Sequence, residues 1–400
     1  MKKIALLSLM TSTLLLAGGY KIPETSTNAL ALSAANIAHN KSADAAYYNP
    51  ANMVFMSKEN HIELDSMYLK LDATNYKDNT GSVDINAKSE QFLIPSLYYV
   101  SDEINGARFG LSMVSPGGLT KRWNDAPASA KAKEFTLKIV EVNPTVALPI
   151  ADNVSIAIGL RMIYSEGVVQ VVPIPGVISQ DMSGNSIDFG YNIALAYKPT
   201  NELEFALTYR SQIDLTHEGD ATLLYKPANF NEIVKASVTV PLPATLSLAA
   251  AYSLPSKTTI EFVYERSYWS AYQDLDFDYA NPTAENIFGR VTQKDWKDTN
   301  AFRLGITQEL DAWTLMTGIV YDQTPVPDKT LGFELPDSDT LALSFGGRYA
   351  INDKLDIGLA ALYSIKKART IVATENDNGI DGKFSNSNAL LISAGMGYKF

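Results

Sequence analysis

Strict alternation of apolar and small or polar residues, sustained over segments of about ten residues, is the feature that most limits what this chain can fold into. In Val154 to Tyr164, the residues Val154, Ile156, Ile158, Leu160, Met162 and Tyr164 share one face, and Ser155, Ala157, Gly159 and Arg161 share the other. Ile187 to Tyr197 repeats the pattern, with Ile187, Phe189, Tyr191, Ile193 and Leu195 opposite Asp188, Gly190, Asn192 and Ala194. Leu203 to Arg210, Leu341 to Tyr349 and Leu355 to Ser364 do the same. Strands of this length cross a membrane when tilted. No apolar run beyond the N-terminus approaches the roughly 20 residues that a membrane helix needs. Tyrosine recurs at the ends of the apolar faces, at Tyr164, Tyr197, Tyr209, Tyr252, Tyr321, Tyr349, Tyr363 and Tyr398. One interfacial ring of aromatics is the expectation, and a membrane barrel takes precedence over a soluble sandwich.

The connections agree with that reading. Short ones such as 150–153, 199–202, 254–257 and 351–354 carry Asp, Asn, Gly or Pro, as tight turns require. They alternate with long ones at about 74–90, 115–133, 165–185, 214–234, 271–298, 322–338 and 366–386. The strands between them number about 14, an even count. The fold class expected is an all-β transmembrane antiparallel barrel in the outer membrane of a Gram-negative cell. A barrel also explains how 400 residues form one unit, since it grows by adding strands to one closed sheet.

Both ends carry export signals. Lys2 and Lys3 precede an apolar Ile4 to Leu16 and the small residues Ala17, Gly18 and Gly19. This is a signal-peptide pattern, with residues 1–17 removed and cleavage near Ala17 to Gly19. The last strand places Ile392, Ala394, Met396, Tyr398 and Phe400 on one face. A terminal Phe400 of this kind looks like the strand that the outer-membrane assembly machinery recognises. Residues 61–400 would form the barrel. Residues 18–60 alternate short apolar, small and polar pieces, and Ala29 to Ala35 suit a short helix. A solvated periplasmic tail would carry fewer apolar residues, so a plug in the lumen is the expectation.

The net charge of -11 argues against a nucleic-acid partner. The chain has no cysteine, and its three histidines are His39, His61 and His217. No zinc site, other cofactor or G-x-S-x-G nucleophile is legible, so a non-enzyme is expected. The rival enzyme reading is a lipid hydrolase using His61 or an outer-loop His217. The loop Asn376 to Gly382 has the wrong ligand spacing for calcium.

Three stretches in chain order resemble the FadL family of outer-membrane long-chain fatty-acid and hydrocarbon transporters. The first is Gly18-Gly19-Tyr20-Lys21-Ile22-Pro23-Glu24-Thr25 followed by Asp44 to Ala51, whose Asn49-Pro50-Ala51 matches the family's NPA hatch motif. The second is Ser115-Pro116-Gly117-Gly118-Leu119-Thr120-Lys121-Arg122-Trp123. The third is Tyr321 to Asp328 with Leu335 to Asp339. The resemblance implies a 14-stranded barrel blocked by a hatch, outer loops that catch a hydrophobic ligand, and passive uptake. It also implies lateral release through a kinked third strand, read as Ala107 to Val114. Asn49, Pro50 and Ala51 would be the hatch element touching that strand, in which Arg108 and Gly110 stand out. Gly110 would either weaken the ladder or make lumen space.

A fatty acid needs apolar burial and a partner for its carboxylate. Arg108, Arg161, Arg210, Arg303 and Arg348 are lumen-face candidates, unless they pair with carboxylates such as Asp188, Glu204, Glu261 and Asp356. Leu119 and Trp123 lie beside Lys121 and Arg122 in an expected outer loop. That cluster suits an amphipathic acid at the surface or lipopolysaccharide phosphates. The valines between 165 and 185 suggest either an apolar capture patch or strands running past the membrane. A general porin is the non-enzymatic rival, a monoaromatic hydrocarbon is the rival substrate, and a monomer is the expected state.

Overall fold

The computed structural model describes residues 18–400, so the signal-peptide reading of residues 1–17 lies outside the described residues. Fourteen staves close into one antiparallel barrel. They are β1 His61–Leu71, β2 Glu90–Val100, β3 Arg108–Val114 with Gly118–Arg122, β4 Glu134–Ala151, β5 Val154–Ile174, β6 Ile178–Tyr197 and β7 Leu203–Arg210 with Ile213–Tyr225. Then follow β8 Phe230–Leu242 with Thr245–Ser253, β9 Thr258–Ser267, β10 Thr299–Leu310, β11 Trp313–Asp322, β12 Thr340–Ala350, β13 Leu355–Lys366 and β14 Ala389–Lys399. Three staves, β3, β7 and β8, are each split in two, and Phe277–Tyr279 joins the sheet from an outer loop. The barrel closes where β1 pairs β14 from His61↔Lys399 to Leu71↔Ala389.

Alternation sets which side chains meet lipid. In β12, Leu341, Leu343 and Phe345 are exposed, while Ala342 and Ser344 between them are buried. The exposed tyrosines, with the half-buried Tyr209, form two rings rather than the one expected. Tyr197, Tyr252, Tyr349 and Tyr398 end at the short turns, and Tyr209, Tyr321 and Tyr363 lie toward the long loops. Neighbouring staves run in opposite directions, so a tyrosine at the end of each apolar face falls alternately at the two interfaces.

Two expected outer loops are instead strand, and in a third, 115–133, Gly118–Arg122 resumes β3 by pairing with β4. The β5–β6 ladder runs through Ser165↔Ser186 and Val171↔Gln180, and β7–β8 through Asp214↔Pro241 to Tyr225↔Phe230. Ladder hydrogen bonds do not need lipid, and the β-branched valines hold the ladder beyond it. His217 therefore sits buried within β7, not in a loop.

Residues 18–60 fill the lumen. Helix α1, Thr27–Ala31, is capped by the Ser26 side chain on Ala29 N and is buried throughout. Helix α2, Ala45–Tyr48, leads into a 3-10 turn at Pro50–Phe55 capped by the Asn49 side chain on Ala51 N. The helix begins two residues before the Ala29 to Ala35 stretch that suits one, because Ser26 caps it there, and it ends at Ala31, beyond which Ser33 and Ala34 turn left-handed.

The outer face predicts a cost for charge. Leu359, 63% exposed in the middle of β13, when changed to Arg should destabilise the barrel by about 2–4 kcal/mol in denaturant titrations from vesicles. The same change at Val372, exposed in an outer loop, should cost less because no bilayer surrounds it.

Candidate functional site

The wall is incomplete at one place. β2 and β3 share only four ladder pairs, Leu97↔Met113 to Val100↔Gly110. Gln91 to Ser96 have no ladder partner on that side, although β1 pairs the whole of β2. Six residues at the strand rise make an opening about 20 Å long. Pro95 lies within it; proline has no N–H to offer a ladder. The cause is the interruption of β3 at Ser115, Pro116 and Gly117. Above it, Ala87↔Trp123 and Lys88 N to Arg122 O at 2.8 Å close the gap again, helped by the Arg122–Glu90 ion pair.

The hatch supplies partners that the neighbouring stave does not. Ile22 N donates to Pro116 O at 2.8 Å and Gly118 N donates to Tyr20 O at 2.8 Å, with Lys21 opposite Gly117. A Cβ on Gly117 would lie 2.6 Å from Tyr20 O, so glycine is what lets the hatch approach the break. The break falls here and not at Gly110, which stays in the ladder. Gly110 instead makes room: a Cβ there would meet Met53 Sδ at 2.7 Å and Ala46 Cβ at 2.9 Å. The structure thus brings the Asn49-Pro50-Ala51 turn against the lower half of β3 and against β4 to β6, while Tyr20 to Ile22 touch the break itself. Asn49 Nδ2 donates to Ile37 O at 3.0 Å, and Ser155 Oγ donates to Ala51 O at 2.7 Å.

The five candidate arginines are engaged in holding hatch and wall. Arg108 donates to the carbonyls of Met56, Ser57 and Glu59 at 3.2, 2.7 and 3.0 Å, where the hatch enters β1. Arg161 and Arg210 share the fully buried Glu141, Arg161 at 2.9 Å, and the Arg210 guanidinium lies 4.2 Å from the Tyr47 ring centroid. Arg303 lies 3.6 Å from both Glu24 and Glu265 and donates to Ser33 O at 3.1 Å. Arg348 joins Glu63, Asp356 and Asn28. Glu261 receives three hatch N–H groups, from Ile37 and Ala38 at 2.7 Å and His39 at 3.0 Å. His39 Nδ1 lies 2.6 Å from Glu204. Buried charges that are each paired or bonded are stable where unpaired ones are not.

Above the hatch lies a partly open apolar cavity. Leu119, Phe135, Val238, Phe277, Trp296 and Leu335 are among its walls, and Tyr20 of the hatch forms part of its floor. Tyr20 packs edge-on to Trp269 at 4.7 Å, and Tyr272 to Trp296 at 4.8 Å. Burial pushes the Tyr20 and Tyr272 phenols above their usual range, so both stay neutral. Lys294 in the wall is already paired with Glu334 at 2.5 Å. Of the candidate ligand residues, only Leu119 lines this space. Trp123 is buried beside it, donating Nε1 to Phe333 O at 2.9 Å, and is no surface aromatic. Tyr20, Tyr272, Trp296 and Phe277 were not singled out from the sequence; the aromatic density of the stretch 269–296 was the available signal. His61 bonds Ser57, and His217 Nε2 lies 2.9 Å from Ser165 Oγ.

A closed barrel with a lumen-filling N-terminal hatch, an open seam in its wall and an apolar cavity on its outer side defines a class: outer-membrane channels for apolar compounds. The chain belongs to the family described as outer membrane protein transport protein (OMPP1/FadL/TodX), whose model matches residues 8–400. A long-chain fatty acid transport protein of Escherichia coli O6:H1 is 24% identical over 93% of this chain and 90% of its own length. That of Salmonella typhi is 24% identical over 68% of this chain and 69% of its own. Among solved structures, a Pseudomonas aeruginosa FadL homologue superposes with a TM-score of 0.84 at 19% identity, covering 96% of this chain and all of the other. The Pseudomonas putida toluene transporter TodX gives 0.72 at 14% identity, covering 94% and 99%.

The Glu261 anchor can be tested cleanly because the chain has no cysteine. In an Ala38→Cys background, Glu261→Ala removes the acceptor of three hatch N–H groups. Labelling of the single introduced thiol by a maleimide should speed up about 5- to 150-fold, the equivalent of a buried hydrogen bond or two. An unchanged rate would show that Glu261 does not hold the hatch.

Proposed function

We propose that this channel takes up long-chain fatty acids from outside the cell and releases them sideways, through the seam between β2 and β3, into the outer membrane. The observation that carries the reading is the place of Tyr20: it floors the apolar cavity and its carbonyl holds Gly118 in the break of β3. A ligand that fills the cavity presses on the residue that secures the hatch to the seam. Each methylene buried contributes roughly 0.8 kcal/mol, so an acyl chain carries enough free energy to compete with a few hatch hydrogen bonds. Movement of Tyr20 to Ile22 would uncover the gap beside Gln91 to Ser96, from which an apolar molecule can pass into lipid without crossing the charged hatch anchors. The relatives named for long-chain fatty-acid transport support this substrate class. The aromatic walls and the likeness to a toluene transporter support a second reading, a monoaromatic hydrocarbon, on the same route. The polar alternative of a general porin fits poorly with a lumen filled by residues 18–60.

Uptake by intact cells tests this directly. Cells lacking the gene should lose uptake of labelled fatty acid, and the wild-type gene should restore it. The variant Leu119→Asp puts an unpaired carboxylate in the cavity wall and should lower uptake at least tenfold. Selective loss of toluene uptake would change the substrate and keep the route. Full uptake without the gene, together with open-pore conductance in planar bilayers, would contradict the proposal.

A further inference from the structure

We propose that export processing cuts the chain between Ala17 and Gly18, and that the amino terminus so created binds the buried Asp322 as its counter-ion and fixes the start of the hatch to the wall. The inference stands apart from the uptake reading, because it concerns how the hatch is set, whatever compound passes.

Charge around the first hatch residues is one cation short. Glu24, Glu265, Asp322 and Asp337 gather there with Lys21, Arg303 and Lys366. Lys21 pairs with Glu265 at 2.5 Å, Arg303 lies 3.6 Å from both Glu24 and Glu265, and Lys366 pairs with Asp337. Lys294 and Arg369 are likewise taken, by Glu334 and Asp328. Asp322, at the outer end of β11 and 4% exposed, has no cation within ion-pair distance among the described residues. A carboxylate taken out of water without a counter-ion is costly.

Gly18 supplies the position. It is buried, and a Cβ on it would lie 3.0 and 3.2 Å from the two Asp322 carboxylate oxygens. Its nitrogen is two bonds from that point, and so within about 5.5 Å of the carboxylate. While the chain continues to Ala17, this nitrogen is a neutral amide. Hydrolysis gives the hydroxyl of water to the Ala17 carbonyl carbon and its proton to Gly18 N, and the new amine takes one more proton from solvent. Amino termini are largely ammonium at neutral pH, the more so beside a carboxylate. A free chain end can turn to close the remaining distance.

The structure also separates the bonds open to the cut, from Ala17 to Gly19. A cut after Gly18 would put the ammonium on Gly19, whose N–H already serves Asp337 at 3.2 Å, and a cut after Gly19 would delete both groups. Gly18 and Gly19 have φ of +72° and +77°, left-handed values that favour glycine, and a Cβ on Gly19 would meet Trp269 Cζ2 at 2.6 Å. Small residues there serve both an export peptidase, which selects for them, and the turn that the mature end adopts. With Gly18 at Asp322 and α1 in the lumen, Tyr20 to Ile22 form a span tethered at both ends, which returns to the break of β3 after any displacement.

N-terminal sequencing of the barrel purified from outer membranes is the first check. The expected first residue is Gly18. A chain that starts at Gly19 or Tyr20, or that keeps residues 1–17, would overturn the proposal. Reductive methylation with formaldehyde, read by peptide mass spectrometry, then reports the amine. In wild type the α-amine should react more slowly than in the unfolded chain, and equal rates would overturn the proposal. Asp322→Asn, which keeps the shape and removes the charge, should speed the reaction about 10- to 150-fold, the worth of a hydrogen bond to a charged group. Slow labelling of the buried Lys121 and Lys294 in the variant shows that it is folded. An α-amine rate unchanged by Asp322→Asn in the folded variant would contradict the ion pair.

Discussion

Inside a membrane, every backbone N–H and C=O must find a partner within the protein, and this requirement governs the seam. A barrel meets it by pairing each stave on both sides. Here β3 stops at Ser115 to Gly117 and β2 is left without a ladder partner from Gln91 to Ser96. The hatch relieves part of that deficit by bonding Tyr20 to Gly118 and Ile22 to Pro116. The seam is therefore a place where wall and plug complete one another, and any event that moves the plug alters the wall.

The rest of the lumen makes such movement selective. Helix α1 and the residues around it are fixed by charged groups of the wall: Arg348, itself paired with Glu63 and Asp356, donates to Asn28, Arg303 pairs with Glu24 and donates to Ser33 O, and Glu261 accepts three hatch N–H groups. Removing one partner of such a set leaves a buried charge, which costs several kcal/mol. Tyr20 to Ile22 are held mainly by backbone hydrogen bonds and ring contacts, together with the Lys21–Glu265 pair at 2.5 Å. Apolar burial of a ligand competes more readily with those bonds than with the charge network. On the proposed uptake route, the N-terminal end of the hatch is the part that responds to ligand.

The barrel was legible because lipid on one face and a filled lumen on the other impose alternation along each stave. The pattern is visible in Val154 to Tyr164 and in Ile187 to Tyr197 without any structure. Strand lengths beyond the membrane were not legible. Residues 165–185 lose the clean alternation once lipid no longer selects one face, yet the ladder continues. The break of β3 had its signal in Ser115-Pro116-Gly117-Gly118, a proline and glycine run that reads equally as the start of a loop. Arginine pairing could be anticipated in kind but not partner by partner, because Glu141, shared by Arg161 and Arg210, carries no local mark. Lys121 reads in sequence as a solvated loop lysine. Its burial follows from tertiary packing under Leu335 and Pro336, more than 200 residues away in the chain.

The central claim is that ligand in the outer cavity frees the N-terminal end of the hatch from the break in β3. Hydrogen exchange at the Ile22 and Gly118 amides, read in a lipid nanodisc with and without a long-chain fatty acid, tests it most directly. The account predicts faster exchange at both amides on ligand addition, with the Ile37 to His39 amides bound to Glu261 still protected. Unchanged or slower exchange at Ile22 and Gly118 with ligand bound would contradict it.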